Sequence, residues 1–366
     1  MANHVSTAPA QATPGPSERY LSRDISWLKF NERVLDQVVR AENGLSEQLK
    51  FLMISATNLD EFFMIRVGSL YNYIDYPRTW KNHWDWQAAC FRRMLLLKAK
   101  KTFNKQHEYF LQKLIPACKA DHCVLLQDLS ILGQQEQQQL ANYFNETLFS
   151  MLTPMVFDSH HDTPIIMNRV LVLGVVTYDP TDQQANKKFS FVQLPQNLPR
   201  FYPLNRSDGI GFVPIEEIVR FHLPTLFKNI SILSSTLFRV IRNGDFSLEE
   251  GEGMENNFIE QLKRKLKKRN QGRVVRLEIE VHYDQTLLSF LKQQWDIDED
   301  NVFQVPAQSL VDLTRLQQLA QHHSSRDYTT VPLLTYPLLH ADDLFEVLKQ
   351  QDLLLHHPYN SIDLVI

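Results

Sequence analysis

Two groups of side chains in this sequence have the types and spacing to do chemistry. The stretch QLKRKLKKRNQGRVVRLEI brings Lys263, Arg264, Lys265, Lys267, Lys268, Arg269, Arg273 and Arg276 within fourteen residues. A run of this kind can attract a polyanion, because a chain of phosphates needs many positive charges and little directional bonding. It can equally be a solvated helix face: Phe258, Leu262 and Leu266 form a narrow apolar stripe, and Glu249, Glu250, Glu252 and Glu255 lie upstream to neutralise it. The second group centres on Asn58, inside LKFLMISATNLDEFFMIRVGSL. A carboxamide offers a donor and an acceptor together, which suits the edge of an adenine base. Asn58-x-x-Glu61 also has the form of a capping box, which would end one helix near Ala56 and start another at Asn58.

Other chemistries find no motif. There is no phosphate-binding G-x-x-x-x-G-K-[ST] and no G-x-G-x-x-G, H-E-x-x-H or G-x-S-x-G. The pairs His160-His161, His322-His323 and His356-His357 are adjacent in sequence, so their rings diverge on a helix or strand, which argues against metal binding. The three cysteines, Cys90, Cys118 and Cys123, have no C-x-x-C spacing; that argues against a zinc site and for a reducing compartment. A net charge of −4 with 22% charged residues excludes a globally basic nucleic-acid binder, so any basic site is local. No apolar run reaches the roughly 18 residues of a membrane span. The first residues, MANHVSTAPAQATPGPSE, read as a disordered leader rather than a secretory signal, and a cytoplasmic location is expected.

The elements that must position these groups follow from periodicity. Leu52, Ala56, Leu59, Phe63, Val67 and Leu70 recur at the spacing of a buried helical stripe. Asp24 or Ser26 can start a helix that carries Trp27, Leu28, Val34, Leu35 and Val38 inward, Ser46 can cap the next, and a long run from Trp86 to Leu114 closes at Pro116. Residues 20–120 therefore read as an all-α N-terminal helical bundle behind a leader over 1–19. Residues 121–335 read as an α+β head domain. Its strands are RVLVLGVVTYD, KFSFVQL and GRVVRLEIEVH; its helices are GQQEQQQLANYFNETLF, IEEIVRFHLPTLF, ENNFIEQLKRKLKKR and TLLSFLKQQW. In FEVLKQQDLLLHHPYNSIDLVI a helix, a strand over Leu353 to Leu355, a turn at Pro358 and a helix capped by Ser361 suggest that 336–366 begin a further domain that is cut short.

RDISWLKFNERVLDQV and FLMISATNLDEFFMIRVGSL closely resemble the N-terminal helical domain of the bacterial polyphosphate kinases, which make polyphosphate from ATP. The resemblance continues through PRFYPL, FRVIRNGDFSLEEGEG, KRNQGRVVRLEI and FEVLKQQDLLLHHPYNSIDLVI, from about Arg19 to Ile366. It departs at VPAQSLVDL, where the family more often has a Gly-Pro-Leu-Asp-Leu-like turn.

The resemblance implies a multidomain protein whose last segment opens a truncated α/β domain of phospholipase D type. It also implies that the autophosphorylated histidine lies beyond this chain, since none of the 13 histidines matches a catalytic motif. Reversible transfer of the terminal phosphate of ATP to polyphosphate through a phosphohistidine is then the expected activity of the intact enzyme, with Mg²⁺ held by residues outside this chain and no catalytic residue within it. In the family's N-L-D-E-F motif, here Asn58 to Phe62, the asparagine contacts the nucleotide; Asp60, Glu61 and Arg66 read as structural, fitting a helix start. The head domain would contribute cations to a phosphate tunnel, with Lys263, Arg264, Lys267, Lys268 and Arg273 as candidates. ATP and polyphosphate are the implied partners, with self-association through the N-terminal domain and no nucleic acid; peripheral membrane association cannot be read from the residues. The alternative is a non-catalytic module that binds ATP or polyphosphate, or that dimerises.

Overall fold

The computed structural model describes residues 22–40, 43–75, 84–157, 165–178, 187–228, 230–244, 272–324, 344–356 and 360. They belong to two compact units, Met1–His323 and Ser324–Ile366. In the first, α1 (Arg23–Leu35) is capped by Ser22, whose hydroxyl accepts from the Ile25 amide, rather than by Asp24 or Ser26. Leu28, Leu35 and Val38 are buried as their spacing requires, and Trp27 stacks on Phe62 with ring centres 4.7 Å apart.

Helix α2 runs from Leu45 to Phe62 without a break, then passes through a π turn (Phe63–Val67) into α3 (Gly68–Asp75). It starts on Gly44, so Ser46 lies inside the helix rather than capping it. The capping-box reading of Asn58 is likewise overturned: Asn58 sits within the last turns of α2, and no second helix begins there. The π turn explains how the apolar stripe continues, because one inserted residue lets Phe62, Phe63 and Met64 all point inward.

The same device recurs in α4 (Trp84–Tyr109), which continues through a π turn (Phe110–Leu114) into α5 (Ile115–Ala120). Pro116 does not close this run. It occupies the first turn of α5, where a missing N–H is tolerated.

The remainder of this unit is a mixed α/β arrangement. Strand β1 (Cys123–Leu125) is followed by α6 (Gln134–Tyr143) and β2 (Pro154–Phe157). Next come β3 (Leu171–Tyr178), β4 (Lys187–Gln193), β5 (Phe201–Arg206) and β6 (Gly209–Pro214). Helices α7 (Ile215–Phe221) and α8 (Leu223–Leu226) lead to β7 (Ser231–Arg242), and β8 (Val274–Glu280), α9 (Gln285–Trp295), β9 (Val302–Val305) and α10 (Gln317–Ser324) complete it. Among the described residues six strands form a sheet in the order β2-β4-β3-β7-β8-β9, antiparallel except for β8–β9. Three more form β1-β6-β5, with Pro203 on the edge strand β5, where its missing N–H leaves no gap in the ladder. The expected strands and helices are present where they are described, whereas ENNFIEQLKRKLKKR lies outside the described residues.

The central strand β7 is the main element that periodicity alone does not assign. SILSSTLFRVIR carries arginines at 239 and 242, and both are buried.

Helices and sheet share one core. Phe63 packs edge-on against Phe303 with centres 5.4 Å apart, and Phe103 does so at 5.2 Å. Leu28, Leu59 and Leu96 join Leu173, Val275 and Ile241 in the same apolar cluster. The contact is close at Gly68, where a Cβ would lie 2.1 Å from Asn243 Oδ1, and the Gly244 amide donates to the Met64 carbonyl at 2.9 Å.

In the second unit α11 (Leu344–Gln350) forms as expected. Leu353–Leu355 do not form the expected strand: residues 351–356 have no regular structure, and a strand exists only where a second strand pairs with it. Pro358 and Ser361 lie outside the described residues.

Candidate functional site

Asn58 occupies a half-buried position on the α1-facing side of α2. Its Nδ2 donates to Asn31 Oδ1 at 3.2 Å, and Asn31, fully buried, donates in turn to the Ser55 carbonyl at 3.0 Å. Gln106 on α4 donates to the Ser55 hydroxyl at 2.9 Å. This ladder fixes the plane of the Asn58 amide and uses one of its two N–H bonds. Among the described residues its Oδ1 and second N–H make no hydrogen bond, so a donor and an acceptor remain side by side.

Two residues along, Asp60 is fully buried and has a different role from the first-turn charge its position suggests. Its carboxylate accepts from Arg239 Nη1 and Nη2 at 3.0 and 3.2 Å, and from Arg276 Nη2. Arg239 also donates to Glu278 at 2.8 and 2.9 Å and to Asp312 Oδ1 at 2.9 Å. Arg276 pairs with Glu278 at 2.6 Å and lays its guanidinium over the Phe63 ring, 4.6 Å from the centre. Burial lifts the Asp60 carboxyl above the usual range; Arg239 and Arg276 pull it down, while Glu278 and Asp312 push it up. Glu61, by contrast, is exposed, and Arg66 is half-buried.

Asp312 of this network also lines a cleft of about 470 Å³, together with Arg169, Arg315, Asn168, Gln196, Thr314 and Met64. Arg169 Nε reaches Asp60 Oδ2 at 3.5 Å from a left-handed backbone (φ 64°), a conformation uncommon outside glycine. Arg315 donates to the carbonyls of Gln196 and Leu198 at 3.2 and 3.1 Å and makes no ion pair among the described residues. Burial, then repulsion from Arg200, lowers its pKa, the signature of a cation whose charge is incompletely met. Two guanidiniums at a cleft provide bidentate donors for phosphate or carboxylate oxygens.

Of the cation run between Lys263 and Arg276, the described residues include Arg273 and Arg276. Lys263, Arg264, Lys267 and Lys268 lie outside the described residues. Arg273 sits with its guanidinium 4.6 Å from the centre of the Tyr71 ring and 3.5 Å from Asp296, and Arg276 is in the core. The departing loop VPAQSLVDL turns through Gln308 (φ 65°), and its Ser309 hydroxyl lies 2.7 Å from His107 Nδ1. Sequence reading missed Arg169, Arg315 and the role of Asp312. The signal available pointed to their partners instead, as arginine and carboxylate embedded in apolar strands: Arg239 in LFRVIR, and Arg276 and Glu278 in VVRLEIE.

A family model described as "Polyphosphate kinase N-terminal domain" matches residues 20–126, and "Polyphosphate kinase middle domain" matches residues 135–319. The chain belongs to the polyphosphate kinase family. A polyphosphate kinase of Mycobacterium tuberculosis is 32% identical over 378 aligned residues, covering 97% of this chain and 50% of the relative. One from Mycolicibacterium gilvum is 31% identical over 369 residues, covering 98% and 50%. The crystal structure of polyphosphate kinase from Porphyromonas gingivalis superposes with a TM-score of 0.70 at 22% identity, over 97% of this chain and 49% of that one. The chain thus spans about half the length of the curated relatives it matches. In fold it is a helical N-terminal region followed by a mixed sheet region, as the order of elements requires. No described helix is long and apolar enough to cross a membrane.

Proposed function

We infer that this chain is the nucleotide-positioning portion of an enzyme that reversibly transfers the terminal phosphate of ATP to polyphosphate. Family membership across both matched regions supports the reaction class. The observation that carries this chain's own role is Asn58: an amide pinned through one N–H to Asn31, with its other N–H and its Oδ1 open to meet a purine edge. Holding the base fixes where the γ-phosphate falls, so a residue that touches no reacting atom still governs reaction geometry. The phosphohistidine belongs, on this reading, to the part of the enzyme outside this chain.

Among the described residues Arg169 and Arg315 are the cations best placed to meet phosphate. Both line one cleft, and Arg315 has no carboxylate partner among the described residues. Magnesium requires hard oxygen ligands. Among the described residues the one grouping with metal-ligand spacing is two thiols and an imidazole, which does not fit magnesium. On this reading the residues that hold Mg²⁺ belong to the part of the enzyme outside this chain. Exposed Phe30, Ile54 and Ile65 on α1, α2 and the π turn support self-association through the N-terminal region, which sedimentation would show as a dimer. Residues 336–366 are read as the opening of a phospholipase D-like domain, and the protein as cytoplasmic.

Titration of the chain with ATP tests the site. Saturable binding is expected, weakened by about 2- to 12-fold in Asn58→Ala, the equivalent of one lost amide hydrogen bond. Equal affinities would remove Asn58 from the site. The chain alone should form no polyphosphate from ATP; product formation would place a catalytic histidine within it.

A further inference from the structure

Three side chains far apart in the sequence meet beside the helical region: Cys118 on α5, Cys123 at the start of β1, and His323 on α10. Their ligand atoms all lie within 4.8 Å of one another. Each is buried, with at most 3% of its surface exposed. The intervening loop is shaped for this. His122 adopts a left-handed backbone (φ 58°), and its carbonyl accepts from the Ile210 amide at 2.9 Å, so the chain reverses between the two cysteines with both thiols inward. The His323 ring is held from one side, with Nδ1 2.5 Å from Asp121 Oδ2. Its other nitrogen, Nε2, is buried and faces the Cys123 thiol, a weak donor, with no stronger hydrogen-bond partner.

A buried imidazole nitrogen met only by a weak thiol donor is a costly feature unless something binds it more strongly. Here it shares a pocket with two thiols, and a carboxylate fixes the ring from the far nitrogen. That is the arrangement of a metal-ligating histidine, whose second N–H is donated to a carboxylate that sets its tautomer. We propose that Cys118, Cys123 and His323 form a site for a zinc-class divalent cation, with Asp121 as the positioning residue. Thiolate and imidazole donors select zinc over magnesium or calcium. Binding replaces the thiol protons with metal–sulfur bonds and releases them to solvent. Three protein ligands leave the fourth tetrahedral position to water. The site would clamp α5 and β1 to α10, independently of the nucleotide role assigned to Asn58.

Cobalt is the probe, used on the whole chain carrying Cys90→Ser to remove the exposed thiol, fully reduced and stripped with a chelator. One equivalent of Co²⁺ should bind with a thiolate-to-cobalt charge-transfer band, and Zn²⁺ should bleach that band. Cys118→Ser and Cys123→Ser should each diminish it. Asp121→Asn should keep the band but weaken affinity by about 10- to 100-fold, since it alters only the support of a ligand. If a serine variant fails to fold, the Cys90→Ser protein still decides, because its remaining thiols are the two in question. Absence of the band together with no zinc uptake by native mass spectrometry would overturn the site. So would a band that survives both serine substitutions, or a Cys118–Cys123 disulfide forming in protein that takes up no metal when reduced.

Discussion

Asp60→Asn tests whether the buried charge network joins the helices to the sheet. The substitution keeps shape and volume and changes one oxygen into an NH₂ group. Asp60 Oδ2 faces Arg239 Nη1 at 3.0 Å and Arg169 Nε at 3.5 Å, while Oδ1 faces Arg239 Nη2 at 3.2 Å and Arg276 Nη2. Whichever way the new amide turns, its NH₂ points at a guanidinium donor, and at least one buried arginine N–H loses its acceptor. Each such loss costs about 1–3 kcal/mol, and breaking a buried ion pair costs about 3–5 kcal/mol.

One feature moderates this: burial already holds the Asp60 carboxyl above its usual range. The charges otherwise balance, since Asp60, Glu278 and Asp312 meet Arg239, Arg276 and, 3.5 Å from Asp60, Arg169. A loss of about 2–4 kcal/mol is therefore expected, within the range for breaking a buried pair. Urea unfolding followed by circular dichroism would read it as a lower midpoint at unchanged slope. Glu61→Gln, on the exposed neighbouring position, should stay within about 0.5 kcal/mol. A loss below about 1 kcal/mol for Asp60→Asn would refute the reasoning, because two guanidiniums cannot lose a charged acceptor in a dry core so cheaply.

Other expectations follow from the same geometry. His107 is buried between Phe103 and Ser309, and burial, then Arg239 and Arg276, lower its pKa from 6.5 to about 3. The unfolded chain takes up a proton below about pH 6.5 that the folded chain refuses, so stability should fall as pH drops from there toward 3, by up to about 5 kcal/mol. A neutral His107→Gln variant should lack that slope in pH-dependent unfolding. Gly68→Ala must displace Asn243, whose Oδ1 would lie 2.1 Å from the new Cβ, and should cost about 1–3 kcal/mol by thermal unfolding. Arg315→Gln should weaken tripolyphosphate binding by calorimetry and flatten its salt dependence, while leaving Asn58-dependent binding of adenosine unchanged.

What could be read along the chain depended on how far apart the interacting residues lie. Periodicity located α1, the buried stripe of α2, and strands β3, β4 and β8, because each is specified by neighbours within a few turns. The Asn58 carboxamide was also legible, as a poor helix former inside a strong helix. The error there was to explain it by a local cap when the helix simply continues. Its stabilisation comes from Asn31, on another helix. Strand β7 escaped because Arg239 and Arg242 look like solvent-facing residues until their partners are known. Those partners come from α2, β8 and the loop after β9 for Arg239, and from the carbonyls of Ile166 and Gly272 for Arg242.

The same limit governs the sites. Asp60 and Arg239 are separated by 179 residues, and Asp121 and His323 by 202, so no motif written on a single segment can contain either pair. For a charge run the complementary limit holds: adjacency in sequence does not by itself fix a shared direction. Of the cations between Lys263 and Arg276, the two that are described diverge, Arg276 into the core and Arg273 onto Tyr71 and Asp296. A polyanion senses the field of cations that converge on one cleft, whatever their order along the chain. On the proposed reading that criterion favours Arg169 and Arg315, with 145 residues between them, over Arg273 and Arg276.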